Sequence, residues 1–223
     1  MKKIILSVAT LAMLAACNNT PNADKAEAGD KQAAASADGT VFTIDSNTTV
    51  QWTGTKAVGA HTGTFGLKEG SLSVKDGVIT AGSFTLDITS LNNKDLANDT
   101  VSKAKLEGHL KSPDFFDIAK FPTATFVITG VEPFKLDSAA TKDVVLKDAN
   151  YTIKGNFTLK DSTKNISFPA KITIVDDKLN AVADFNIDRT QWGLNYKGPN
   201  NPQDWFIRKE VNLKLNITAA TKK

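Results

Sequence analysis

The chain has 223 residues, 41% of them hydrophobic, enough apolar material for one domain with a sizeable core. Its 27 Lys and Arg against 24 Asp and Glu leave a formal charge of only +3, too small a surplus for a nucleic-acid-binding surface. One cysteine in the whole chain excludes a disulfide framework.

At the start, Lys2 and Lys3 precede an apolar run from Ile4 to Leu14. The run is too short to span a bilayer and reads as a secretory signal. Leu14-Ala15-Ala16-Cys17 resembles the bacterial lipobox, in which the cysteine is acylated, with palmitate for example, and becomes the first mature residue. Residues 1–16 are therefore expected to be a lipoprotein signal peptide, with Cys17 as the lipidation site. Cleavage would remove Lys2 and Lys3 and no acid, taking the formal charge from +3 to +1. Asn18 and Asn19 follow the cysteine, with no sorting acid, which by the same resemblance favours the periplasmic side of the outer membrane over the inner. Residues 18–40 hold no large apolar group and are expected to be a disordered tether, about 25 Å end to end as a flexible coil. The folded domain is expected over 41–219.

Within that domain apolar and polar residues alternate with period two, the pattern of strands with one dry and one wet face. Tyr151, Ile153, Gly155, Phe157 and Leu159 share one face; Leu179, Ala181, Ala183, Phe185 and Ile187 repeat the pattern. The alternation predicts strands near 41–56, 61–75, 78–91, 122–136, 147–160, 164–175, 178–188 and 205–219. Turn chemistry at Lys75-Asp76-Gly77 and Asp176-Asp177 makes neighbours antiparallel. Eight long antiparallel strands make an all-β domain that either folds into a sandwich or closes up-and-down into a barrel. Between the third and fourth strands, Asn98 or Asp99 caps a helical stretch to Lys111, and Ser112-Pro113-Asp114 reads as a second helix start. This insertion either lids one barrel mouth or is a crossover packing Phe115 and Phe116 on the core.

The chemistry-bearing residues are few. With no Cys partner and no His-x-His or Glu-x-x-His spacing, His61 and His109 read as structural hydrogen bonders rather than metal ligands. No nucleophile elbow, phosphate loop or nucleotide fingerprint appears, so neither an enzyme nor a cofactor is expected. Strand glycines such as Gly63 and Gly155 mark bulges, bends or close approach. Arg189 either braces a barrel end, stacking on Trp192 or pairing with an acid, or meets a head group at a mouth. Phe65, Leu86, Phe126, Phe157, Phe168 and Phe185 either close the core or line a channel.

Leu106-Glu107-Gly108-His109-Leu110-Lys111-Ser112-Pro113-Asp114-Phe115-Phe116-Asp117, followed by Phe121-Pro122-Thr123-Ala124-Thr125-Phe126, resembles the signature of YceI-like proteins. His61-Thr62-Gly63-Thr64-Phe65, Ser83-Phe84-Thr85-Leu86-Asp87 and Phe185-Asn186-Ile187-Asp188-Arg189 fit in order. The resemblance implies an extended, eight-stranded, lipocalin-like antiparallel barrel, hollow, that binds a polyisoprenoid, quinone or similar long-chain amphiphile in the bacterial envelope. It makes the six residues above the channel lining; His109, Arg189 and Trp192 are the candidates for a mouth or head-group contact. The expected partners are thus a hydrophobic ligand and, through Cys17, a membrane; a homodimer is left open. The rival reading is a structural or stress-protective envelope lipoprotein with a solid core and no lipid ligand. An outer-membrane pore is disfavoured, since no aromatic girdles are seen.

Overall fold

The computed structural model describes residues 20–45, 47–135, 144–198 and 207–221. Residues 1–16 and Cys17 lie outside them. Even-numbered Phe42, Ile44, Val50 and Trp52 point inward, each less than a tenth exposed, and the same alternation carries through the strands that follow. In chain order these are β1 (Asp24–Lys25), β2 (Glu27–Gly29), β3 (Thr40–Ile44), β4 (Thr49–Lys56), β5 (Ala60–Lys75) and β6 (Val78–Asn93). Then come α1 (Thr100–Lys111), β7 (Thr123–Pro133), β8 (Tyr151–Leu159), β9 (Ser162–Val175), β10 (Lys178–Asp188), a 3-10 turn (Arg189–Trp192) and β11 (Ile207–Thr221).

Each long strand pairs antiparallel with the next from β5 to β11, and β3 and β4 together fill the place between β11 and β5. The result is a closed, eight-stranded antiparallel barrel. The single strand expected over 41–56 is therefore two, broken where the Thr48 amide donates to the Asp45 carbonyl. Periodicity misses this break because the even-numbered inward parity is the same on both sides of it. Tight turns with positive φ at Asp76, Lys160 and Asp176 join β5–β6, β8–β9 and β9–β10.

The barrel seam is unusual. β9 and β10 pair only near their hairpin, Lys171–Val175 against Lys178–Val182, and then separate. The gap is occupied by the N-terminal segment: β1 pairs parallel with β10, Asp24 opposite Phe185, and β2 pairs antiparallel with β9, Ala28 opposite Ile166. Upstream, Asn186 Nδ2 donates to the Pro21 carbonyl (3.0 Å), and the Thr20 and Thr55 hydroxyls are 3.2 Å apart. Downstream, Asn156 holds Gln32 reciprocally: its Nδ2 donates to the Gln32 carbonyl (2.7 Å) while its Oδ1 accepts from the Gln32 amide (3.0 Å). The Ala35 amide donates to the Ile128 carbonyl, and the Asp38 amide to the Thr80 hydroxyl. Residues 20–40 thus run as a belt across β4, β10, β9, β8, β7 and β6.

This corrects the expectation of a disordered tether over 18–40 for the part described. The physical reason is that the belt is held by main-chain ladders and side-chain amides, not by large apolar groups. Asp24 is 6% exposed, and its two carboxylate oxygens accept from the Val145 and Leu146 amides (2.8 and 3.0 Å).

α1 begins at its expected cap, the Asp99 side chain accepting from the Ser102 amide (3.0 Å). The second helix expected at Ser112 does not form. Ser112 is instead the extended C-cap of α1, and the chain folds back so that the Phe116 amide meets the Leu110 carbonyl and the Ile118 amide the Lys111 carbonyl. Adjacent Phe115 and Phe116 both turn to the interior, which a helical stripe does not allow for consecutive residues.

Candidate ligand-binding cavity

The inward side chains do not fill the barrel. They enclose a cavity of about 530 Å³, within the range of roughly 300–1,000 Å³ usual for small-molecule sites. A solid core is thereby excluded. Phe65, Leu86, Phe126, Phe157, Phe168 and Phe185, one from each of β5 to β10, all line this space. Phe168 and Phe185 stack across the β9–β10 seam with centroids 4.0 Å apart and planes 13° from parallel. They close from within the gap that the belt covers from outside.

Two strand glycines keep the bore open. A Cβ on Gly155 would stand 2.2 Å from the Phe126 ring, and one on Gly63 would stand 2.5 Å from Trp52. Both rings therefore rest against glycine backbone in space that a side chain would take. Ala170, Ala181 and Ala183 add further width on β9 and β10.

The two ends differ. At the end bearing the β5–β6 and β9–β10 hairpins, Leu72, Ile79, Ile172 and Ile217 line the cavity and are all buried. At the other, Lys56, His61, His109, Tyr196 and Lys197 line it and are partly or fully exposed. That end is the mouth. α1 lies over it, presenting Leu106, His109 and Leu110 at i, i+3 and i+4. On another side of the helix, Glu107 Oε1 accepts from the Asn93 amide (2.7 Å), and Lys103 Nζ donates to Asn92 Oδ1 (2.8 Å), fastening the helix to β6. The insertion is a lid as well as a crossover.

Both histidines sit at this mouth, each beside one carboxylate. The His109 ring meets Tyr196 and Phe115 edge-on at 4.7 and 5.2 Å, and its Nε2 is 3.0 Å from Asp114 Oδ2. His61 Nδ1 is 2.8 Å from Asp95 Oδ2. Burial pushes the Asp95 carboxyl up, but hydrogen bonds from the Thr62 amide, His61 and Asn93 outweigh it and hold the group below its ordinary value. Among the described residues no group of three or more His, Cys, Asp or Glu stands close enough to hold a metal ion.

Arg189 reaches the cavity wall but is 3% exposed and committed to backbone. Its Nε donates to the Arg208 carbonyl (3.0 Å), Nη2 to those of Tyr196 (3.1 Å) and Ile207 (2.9 Å), and Nη1 to that of Leu194. Burial lowers its pKa, opposed by the neighbouring Asp188 charge. This is bracing of the rim, achieved through carbonyls and not by the expected stacking on Trp192. Trp192 itself is 1% exposed and lies outside the cavity lining. Its Nε1 donates to the Phe157 carbonyl (3.0 Å), and its ring packs against Phe157 at 5.3 Å. Trp192 is thus a prop behind the wall, and the expectation of a head-group contact is corrected for it.

Lys56, Tyr196 and Lys197 belong to the mouth but were not anticipated. Tyr196 and Lys197 sit in the irregular stretch after the 3-10 turn, where no period marks the inward side. Lys56 follows Gly54 on the inward parity of β4, a signal that its charge obscured.

A family model for the YceI-like domain matches residues 42–219, and the chain belongs to that family. A UPF0312 protein of Yersinia enterocolitica is 33% identical over 104 residues, a match spanning 41% of this chain and 44% of that relative. Among solved structures, BcnA of Burkholderia cenocepacia superposes with a TM-score of 0.58 at 16% identity, covering 78% of this chain and 96% of that one. A polyisoprenoid binding domain from Saccharophagus degradans gives 0.57 at 13% identity, covering 81% and 98%. At those identities the likeness is one of fold.

Proposed function

We propose that the protein binds a long-chain amphiphile of the polyisoprenoid, isoprenoid-quinone or fatty-acid type, without catalysis. Its role is storage, transfer or sequestration in the bacterial envelope. The observation that carries this is the shape and polarity of the cavity: a bore walled by apolar side chains, sealed at one end and rimmed by Lys56, His61, His109 and Lys197 at the other. Such a space suits a molecule with a long apolar tail and one polar end. Burial of the tail is worth about 25 cal/mol per Å² of apolar surface. The Saccharophagus relative, described as polyisoprenoid binding, supports the same chemistry. In this reading Cys17 carries the acyl anchor, and the protein faces the periplasm from the outer membrane.

Delipidated protein titrated with prenyl compounds of increasing chain length tests the proposal. Affinity should rise with each added unit and level off once the cavity is full. Affinity independent of chain length would contradict it.

A further inference from the structure

The belt has a consequence for how the barrel meets a membrane. Read as a free coil, residues 18–40 would let an acylated Cys17 hold the domain at any orientation, about 25 Å away. In the structure residues 20–40 are not free. Asp24 is buried against the Val145 and Leu146 amides, Asn186 holds the Pro21 carbonyl, and Asn156 accepts from the main-chain N–H of Gln32 and donates to its C=O. Thr20, the first described residue of the belt, has its hydroxyl 3.2 Å from that of Thr55. Thr55 and its neighbours Gly54 and Lys56 line the cavity at its mouth. Cys17 is three residues upstream, so chain geometry limits its reach from this point to about 10 Å.

We infer that the belt is a splint: it shortens the lipid tether and fixes the cavity mouth, with the β4–β5 hairpin at its rim, against the bilayer surface. The inference rests on the lipoprotein reading of Cys17. Exposed valines occur at both ends of the barrel, Val58 at the rim being 72% exposed and Val175 at the sealed end 61%, so apolar exposure does not select an end. The position of Thr20 beside Thr55, three residues from Cys17, does. β5 alone spans 16 residues, about 50 Å of strand, so the two ends would sit at very different heights above the lipid. A ligand would then pass between bilayer and cavity without crossing water, under the α1 lid.

The test uses the mature full chain on vesicles of phosphatidylethanolamine and phosphatidylglycerol at 3:1, doped with a head-group spin label. A fluorophore is clicked onto p-azidophenylalanine replacing either Val58 at the rim or Asp177 at the sealed end. The splint predicts at least threefold stronger quenching at position 58. It also predicts that Asp24→Ala with Asn156→Leu, which frees the belt, brings the ratio towards one while the protein stays bound. Equal quenching at the two positions of the intact chain, or stronger quenching at 177, would overturn the orientation. The same comparison on unacylated protein coupled at Cys17 to a maleimide phospholipid separates the two premises. Missing acyl groups on Cys17 of the cell-derived protein would sink the anchor reading and this proposal with it. A ratio near one in the coupled protein would sink the splint alone.

Discussion

Arg189 shows how a residue read as a candidate head-group contact is held by the fold itself. Its guanidinium supplies donors to four carbonyls, those of Leu194 and Tyr196 after the 3-10 turn and of Ile207 and Arg208 at the start of β11. A lysine has neither the number nor the planar spread of donors. Arg189→Lys should therefore leave buried carbonyls unmet and cost on the order of 3 kcal/mol, read as a lowered denaturant midpoint with an unchanged slope. Asp188 next to it is partly buried, which raises its carboxyl. Hydrogen bonds from the Thr190 hydroxyl and amide (2.6 and 3.0 Å) and from Lys209 outweigh that and leave it below its ordinary value. Asp95 is lowered in the same way. Groups that titrate lower when folded lend stability that is complete above the unfolded value of about 3.9 and is lost as pH falls through the folded one. Melting temperature should hold steady from neutrality to about pH 5 and drop below about pH 4, and the drop should be smaller in Asp188→Asn. A drop already complete above pH 5 would contradict this assignment.

At the scale of elements, what the sequence discloses depends on how an element is held. The long strands are legible because one face of each is dry, and period two is the direct imprint of that. The six lining residues follow from the same parity. The belt left no such imprint: β1 and β2 pair through main chain, and their anchors Asn156 and Asn186 look like ordinary outward polar residues until their partners are known. The missing second helix is a different case, since the local cap signal at Ser112 was overridden by the inward turn of two adjacent phenylalanines, Phe115 buried and Phe116 partly so. The α1 lid was legible from its cap at Asp99, but its fastening through Glu107 was not. Removing that fastening with Glu107→Ala should speed the release of a bound prenyl probe several-fold and raise hydrogen exchange in α1. The barrel's melting temperature should fall by only a few degrees, because no residue of α1 is fully buried. Unchanged release would mean that the lid does not gate the mouth.

For the whole molecule the decisive question was whether an eight-stranded barrel of this length is filled or hollow, and alternation alone leaves that open. The volume is set by where small residues fall: Gly63 and Gly155 let Trp52 and Phe126 lie back, and Ala170, Ala181 and Ala183 withhold bulk from β9 and β10. The central claim is that this hollow holds a long-chain lipid. It is tested most directly by native mass spectrometry of residues 18–223 expressed without the acyl anchor, with solvent extraction of whatever co-purifies. Ala183→Phe, which fills the bore without adding charge, serves as the control. The account predicts a discrete adduct, identified on extraction as a prenyl, quinone or fatty-acyl molecule, present on the native protein and absent from a folded Ala183→Phe variant. A clean apo mass that stays unchanged after incubation with such lipids would contradict it.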